Sequence, residues 1–361
     1  MLLRLLLLLI VARTAFAFGP AGHELVGAVA DQKLKETPAG RAVRKLLGNV
    51  TLARAATVAD DIKLWDRLTP GDQHSLYAIP APLTDALWQF WLANPPPEQA
   101  DDEHPSHHWF HYTDVPLSHP SYAKGTRGRS RWDLVQMTGY CAGVLQGTVP
   151  EDNPRKITKP IAILLLAHFI GDIHQPLHVG AEYFLPDGTA ADPDAHPEAL
   201  EDRGGNTLTL RIQGQSAQSL HKFWDSTAVG RAFESLGHPL GSGSDRRDTY
   251  RIQHEAVTAL APGLAIRTPD GWQEDPSTDP AQWARNRADA ALPLAREAHK
   301  RLTFQKVIPS RSRGHPVAQG DAREAAAADG LRYTEWAATR IQGQLHHAGW
   351  RLAELLTHCL R

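Results

Sequence analysis

The sequence predicts an all-α fold, built as one helical domain with long connecting loops. Apolar residues recur at helical spacing along the chain, whereas strand-type alternation is scarce. One segment is apolar nearly all round and bracketed by prolines, as expected for the central helix of a bundle. The 361 residues are 42% apolar, enough for a full-sized core, and no internal repeat divides them.

The first seventeen residues have the pattern of an export signal. Met1 to Arg4 is a short basic start, Leu5 to Val11 an apolar run, and Ala15-Phe16-Ala17 a small-x-small cleavage site. The apolar run is far shorter than the ~20 residues a membrane span needs. The expectation is a secreted or periplasmic protein whose mature domain, 18–361, begins at Phe18. Val26, Val29, Ala30 and Leu34 then trace one helix face, with Asp31, Gln32 and Lys35 away from it. Pro160 fits the first turn of a helix whose stretch Ile161 to Ile173 is apolar on every side, and Pro176 ends it. Near the C-terminus, Ile341, Leu345, Ala348, Leu352 and Leu355 repeat at steps of four and three. The stretches 94–106, 184–204, 267–283 and 307–320 lack a sustained period and carry turn residues, so they read as loops between helices.

Formal charge is −2, and no basic run marks a protein that grips a polyanion with lysines and arginines. A polyanionic substrate would need another source of positive field. Histidine is frequent, at 19 residues against two cysteines, which favours imidazole and carboxylate metal ligands over thiolates. Cys141 and Cys359 either pair in an oxidising compartment or stay as buried thiols; spacing in sequence leaves both readings open.

The chemistry-bearing residues sit on the helical segments. His168 and Asp172 are four apart in the apolar helix and share a face, one turn from each other. Buried there they need polar partners: a divalent cation would satisfy both, as would a hydrogen bond between them. His221 and Asp225 form a second such pair, in Ser219-Leu-His-Lys-Phe-Trp224-Asp225. His23 lies five residues after the expected mature start, Asp60 ends Ala56-Thr-Val-Ala-Asp60, and His111 opens His111-Tyr112-Thr-Asp114.

Taken in order, these segments resemble the S1/P1 nuclease family, whose mature chains open with Trp-Gly-x-x-Gly-His. The likeness runs from Phe18 to about Asp225 through Gly22-His23, Ala59-Asp60, His111-Tyr112-x-Asp114, His168-Phe-Ile-Gly-Asp172, Gln175-Pro-Leu-His178, Gly204-Gly-Asn206 and His221-x-x-Trp224-Asp225. The C-terminal helices are similar only in period and composition. The resemblance implies three zinc ions: one on Asp60, His111, His168 and Asp172; a second sharing Asp172, with His23 and the terminal amine and carbonyl of Phe18; a third on His178, His221 and Asp225. It implies hydrolysis of single-stranded RNA and DNA to 5′-phosphate ends, with possible 3′-nucleotidase activity on nucleotides. It gives Asp60 a part in orienting the attacking water, and it sets a basic residue, here Lys63, against the scissile phosphate. Tyr112, Asp114 and Asn206 would contact the substrate, the aromatic ring by stacking on an unpaired base.

Two departures and two rivals accompany that likeness. Phe18 stands where the family has Trp, but only its backbone would bind metal. Lysine at 63 supplies charge without the bidentate fork of arginine. A helix lysine on the surface, a packed tyrosine and a turn asparagine are the plainer readings of Lys63, Tyr112 and Asn206. A zinc phospholipase C would share this kind of fold and ligand set, although Asp225 and the early His23 favour the nuclease. A non-catalytic zinc protein is the other rival, but structural zinc sites are usually closed and cysteine-rich. His107, His108 and His174 lie near the motifs without an assigned ligand role and read as supporting or surface residues.

Overall fold

Proline and short oxygen-bearing side chains set where the helices begin. Thr37 and Thr51 accept backbone N–H groups at the starts of α2 (Pro38–Leu47) and α3 (Leu52–Asp61), and Pro20 lies in the first turn of α1 (Gly19–Leu34). The chain continues through α4 (Leu83–Ala93), α5 (Leu134–Gln146, opened by the Asp133 carboxylate), α6 (Lys159–His174), α7 (Leu220–Lys222), α8 (Ala228–Ser235), α9 (Arg246–Ile266), α10 (Pro280–Lys300) and α11 (Tyr333–Cys359). A π-helical turn, Phe223–Thr227, joins α7 to α8 without a break. This computed structural model describes residues 18–67, 79, 82–275, 277, 279–312 and 314–360. The expected export signal, 1–17, lies outside the described residues.

The helical class follows from burial. Every residue of α6 from Ile161 to His174 is buried, with α1, α3, α5, α10 and α11 packed around it. The predicted stripes close the same core: Val26, Val29, Ala30 and Leu34 on α1, and Ile341, Leu345, Ala348, Leu352 and Leu355 on α11. Gly27 lets α1 and α3 touch, since a Cβ there would come 2.2 Å from the Leu52 carbonyl oxygen. Asp31 fastens the same contact by accepting the Leu52 and Ala53 N–H groups, both at 3.0 Å. Cys141 and Cys359 are both buried, free thiols. Among the described residues no helix is long and apolar enough to cross a membrane.

Among the described residues, eight strands decorate the bundle. β1 (Val115–Pro116) pairs in parallel with β2 (Gly180–Ala181), and β3 (Tyr183–Phe184) pairs antiparallel with β4 (Leu200–Glu201). β5 (Leu208–Arg211), β6 (Gln218–Ser219), β7 (Leu302–Ser312) and β8 (His315–Glu324) form a sheet in the order β6-β5-β8-β7, with β8 parallel to β5. The stretch 307–320 is therefore not a loop but most of a hairpin. It buries little, in β7 only Leu302 and Val307, and its register shifts between Gln305 and Ile308, so the two-residue period that marks a strand never develops. The 184–204 stretch contains β4, and 267–283 runs into the first turn of α10.

Candidate metal centre

Three neighbouring groups of histidine and aspartate converge between α1, α3, α6 and the segment starting at α7. α6 supplies His168 and Asp172, one turn apart and wholly buried. The two oxygens of Asp172 face different partners: Oδ1 lies 3.4 Å from His23 Nε2, whereas Oδ2 lies 3.1 Å from His111 Nδ1 and 3.3 Å from His168 Nε2. Asp60, at the end of α3, brings Oδ1 within 3.7 Å of His168 Nε2 and 3.9 Å of His111 Nδ1. The third group is His178, His221 and Asp225. The two imidazole Nε2 atoms are 3.0 Å apart, and Asp225 Oδ2 is 3.4 Å from that of His221.

Backbone carbonyls aim these rings. His168 Nδ1 donates to the Ala56 carbonyl at 2.6 Å, His178 Nδ1 to that of His111 at 2.6 Å, and His221 Nδ1 to that of Gly204 at 2.8 Å. A carbonyl only accepts, so Nδ1 carries a proton in each ring and Nε2 is the atom left facing inward. The β1–β2 pairing, with Thr113 N–H donating to the His178 carbonyl at 2.8 Å, locks the His111 and His178 segments side by side. Gly204 needs to be glycine, because a Cβ there would lie 2.1 Å from the Leu177 carbonyl oxygen and its φ is +57°. Gln175 donates to Asp225 Oδ1 at 2.7 Å. Between the third group's ligands, the Trp224 indole donates to the Tyr333 hydroxyl at 3.0 Å, and that hydroxyl donates to the Ala298 carbonyl at 3.1 Å.

Electrostatics separate the groups into acceptors and cations. Burial, then the neighbouring His168, pulls His23 down to about 4, and burial followed by His178 pulls His221 down to about 3. Both are neutral lone-pair donors at ordinary pH. Burial opposes ionisation of Asp60 and Asp172, yet Lys63 and His168 hold Asp60 well below the usual carboxylate range, and His168 and His178 do so for Asp172. Burial pushes the Asp225 carboxyl well up, helped by the Asp60 and Asp172 charges and opposed by the Gln175 hydrogen bond and the Lys63 ammonium. Both nitrogens of His23, Asp172 Oδ1 and Asp225 Oδ2 are buried without a hydrogen-bond partner. Buried polar atoms left unpaired are costly, and cations held in the separate groups would engage His23 and Asp172 in one and Asp225 in another. Neutral imidazole and carboxylate are also the donor set zinc takes, so residues and metal fit.

The remaining predicted residues fall in four places. Phe18 is buried, with φ +42° and its ring centroid 6.3 Å from that of His23; a Cβ on Gly19 would lie 3.0 Å from the Asp225 carbonyl oxygen. Lys63 is buried and its Nζ donates to Asp60 Oδ1 at 2.7 Å. Tyr112 is half-buried, its hydroxyl pushed up to about 12 by burial and by Asp114. Asp114 is itself buried, its carboxyl raised well above the ordinary range by burial and by Glu201. Asn206 is exposed and donates to the Arg203 carbonyl at 3.0 Å within the glycine turn.

Several residues that shape the site had no assigned role in the sequence. His107 and His108 bracket the Asp66 carboxylate, at 3.3 and 2.6 Å, which also accepts the Trp91 indole N–H at 2.8 Å. His174 is buried, donates to the Ile170 carbonyl at 2.7 Å and lines a separate cleft of about 410 Å³ with Arg287 and Arg351. Gln175 was visible as part of a motif, but only its reach to Asp225 reveals its task.

The chain is similar to several known plant endonucleases. The chain is 28% identical over 142 residues to Endonuclease 4 of Arabidopsis thaliana, which covers 36% of this chain and 41% of that protein. It is 26% identical over 240 residues to Endonuclease 2 of the same plant, covering 63% and 62%, and 29% identical over 138 residues to Endonuclease 1, covering 34% and 38%. Each match thus spans less than two thirds of the relative's own length. The model of the S1/P1 Nuclease family matches residues 18–361, through the C-terminal helices that carry none of the proposed ligands, and the chain belongs to the S1/P1 nuclease family.

Proposed function

We propose that the protein is an exported, zinc-dependent nuclease that hydrolyses phosphodiester bonds of single-stranded RNA or DNA and leaves 5′-phosphate ends. The observation that carries this reading is Asp172, whose two oxygens face separate ligand groups in a chain of a nuclease family. Asp60, His111, His168 and Asp172 would hold one zinc, Asp172, His23 and the amine and carbonyl of Phe18 a second, and His178, His221 and Asp225 a third. Bound zinc supplies Lewis acidity, drawing the pKa of water toward ~7 and offsetting charge on phosphoryl oxygens. Three zinc ions against three ligand carboxylates leave a positive centre in a chain of formal charge −2, which attracts a polyanion without a basic surface.

The chain's own groups do the rest. Asp60, kept ionised beside Lys63, accepts a hydrogen bond from the attacking water and orients it. Lys63, set 2.7 Å from Asp60, brings its ammonium to the scissile phosphate. The half-buried Tyr112 ring offers a stacking face, and Asp114, whose carboxyl is raised by burial and by Glu201, would meet a base edge beside it. Stacking of this kind requires an unpaired base, which favours single strands over duplex. Asn206 lies on the glycine turn beside the third group and would contact the nucleotide. Export rests on the signal-like pattern of residues 1–17.

The test combines metal analysis with three substrates: a single-stranded oligonucleotide, its duplex, and phosphatidylcholine vesicles. About three zinc per chain, cleavage of the single strand, and loss of that cleavage on chelation are expected. Hydrolysis of phosphatidylcholine instead would make the protein a phospholipase, and zinc binding without turnover would make the centre structural.

A further inference from the structure

We propose that His119, Asp192 and Asp194 form a further divalent-metal site, separate from the centre described above, that takes Zn²⁺ and clamps the 184–204 segment to the body of the protein. His119 lies just beyond β1, and the two aspartates belong to the long excursion between β3 and β4. The imidazole is 1% exposed, so its nitrogens are cut off from bulk water. Its Nδ1 donates to the Lys124 carbonyl at 2.9 Å, which fixes the proton there and leaves a lone pair on Nε2.

That lone pair faces two anions. Nε2 lies 3.2 Å from Asp194 Oδ2 and 3.7 Å from Asp192 Oδ1, and it makes no hydrogen bond to either. Three electron-rich atoms pointed at one another repel unless a cation sits among them. The spacing suits one: donors at ~2.0–2.1 Å from a tetrahedral zinc lie about 3.3 Å apart. The Asp194 separation recurs in the centre above, where histidine nitrogens and Asp172 or Asp225 oxygens are 3.1 to 3.4 Å apart.

The platform is held from several sides. Arg296 Nε donates to the Leu117 carbonyl at 2.8 Å, and Arg127 donates to the Pro197 and Ala199 carbonyls at 3.1 and 3.3 Å. Gly125 completes the packing, because a Cβ there would come 2.9 Å from the His119 ring. An imidazole donor selects zinc over calcium, which takes six to eight oxygens. Asp192 and Asp194 are 44% and 43% exposed, so water can fill the remaining coordination position. A zinc there would join two segments some 70 residues apart and hold the excursion that leads into Glu201, Asp202 and Arg203.

The partly exposed carboxylates allow a test that spares the core. The full-length protein and its Asp192→Asn/Asp194→Asn variant are saturated with zinc, dialysed against metal-free buffer, and their zinc-to-protein ratios measured by mass spectrometry. The variant should hold one zinc fewer, keep its single-strand cleavage, and be cut faster by protease within 184–204. Because the readout is a difference, it does not depend on how many ions the main centre holds. A His119→Gln variant with the same deficit would tie the missing ion to the imidazole. Equal zinc content in wild type and the double variant would overturn the proposal and leave an ordinary histidine–carboxylate contact.

Discussion

Gly171 lies one residue before Asp172 on α6, and its missing side chain is what lets His23 reach the centre. A Cβ at 171 would come 2.5 Å from His23 Nδ1 and 2.7 Å from its Cε1. Ordinary contact begins near 3.4 Å, so the Gly171→Ala methyl requires the ring to retreat by about 0.9 Å. The ring has no easy retreat, because it is stacked on His168 at 3.8 Å between centroids and is 1% exposed. Zinc–ligand distances tolerate only about 0.2 Å. One zinc equivalent should therefore be lost, and a misplacement near 1 Å costs on the order of 100-fold in turnover. Stability should change far less: overpacking costs about 1–3 kcal/mol, and replacing a helix glycine by alanine returns about 1 kcal/mol. Gly343→Ala on α11, where a Cβ meets nothing within 4 Å, is the matched control and should gain about 1 kcal/mol with metal and activity unchanged. Zinc stoichiometry, single-turnover cleavage and urea unfolding read the three quantities. Full zinc content and wild-type turnover in Gly171→Ala would refute the reasoning, because His23 would then not depend on that approach.

Three further outcomes follow from other parts of the molecule. Lys63→Ala should depress cleavage by 10-fold or more with zinc content intact, whereas Lys63→Arg retains most of it; unchanged kinetics in Lys63→Ala would make the residue a bystander. A single Met placed before Phe18 in the mature protein turns the proposed amine ligand into an amide, so zinc analysis should find an incomplete centre and little cleavage, and a full complement would remove Phe18 from the ligand set. His299 is wholly buried, which alone would lower its pKa, but its Nε2 lies 2.9 Å from Asp202 Oδ2 and the net shift is upward. A raised folded-state pKa stabilises fully below the ordinary value of 6.5 and is lost as pH rises through the raised one. The cost of His299→Gln, about 3–5 kcal/mol for breaking a buried pair, should therefore shrink in urea melts as pH climbs from 6 to 9, and a pH-independent cost would remove the ion pair.

The sequence speaks clearly wherever a side chain repeats or stands out against its surroundings. His168 and Asp172 are legible because charge inside an apolar helix needs a reason, and the stripes on α1 and α11 because burial imposes a period. The β7–β8 hairpin is illegible because it is largely exposed and broken in register, so no alternation is enforced. The carbonyls of Ala56, His111 and Gly204 are illegible for a different reason: every residue has one, and only the fold decides which of them meets an imidazole. The Asp66 network falls between these cases, since His107 and His108 are conspicuous in sequence while Asp66, some 40 residues earlier, is not.

The proposed ligands all lie between Phe18 and Asp225, yet the last of them are steadied by residues far beyond. Trp224, between His221 and Asp225, hangs on the Tyr333 hydroxyl and through it on the Ala298 carbonyl, with its ring edge-on to Trp336 at 5.6 Å. The strand that follows the glycine turn is likewise held by the hairpin, whose Gly320 N–H donates to the Thr207 carbonyl at 3.3 Å. The donor-bearing half is therefore not a portable module: cut after Asp225, it would keep every donor and lose the frame that aims His221 and Asp225. Random mutagenesis scored by metal content should accordingly return hits at Tyr333 and Trp336, positions that a search restricted to metal-binding side chains would never sample.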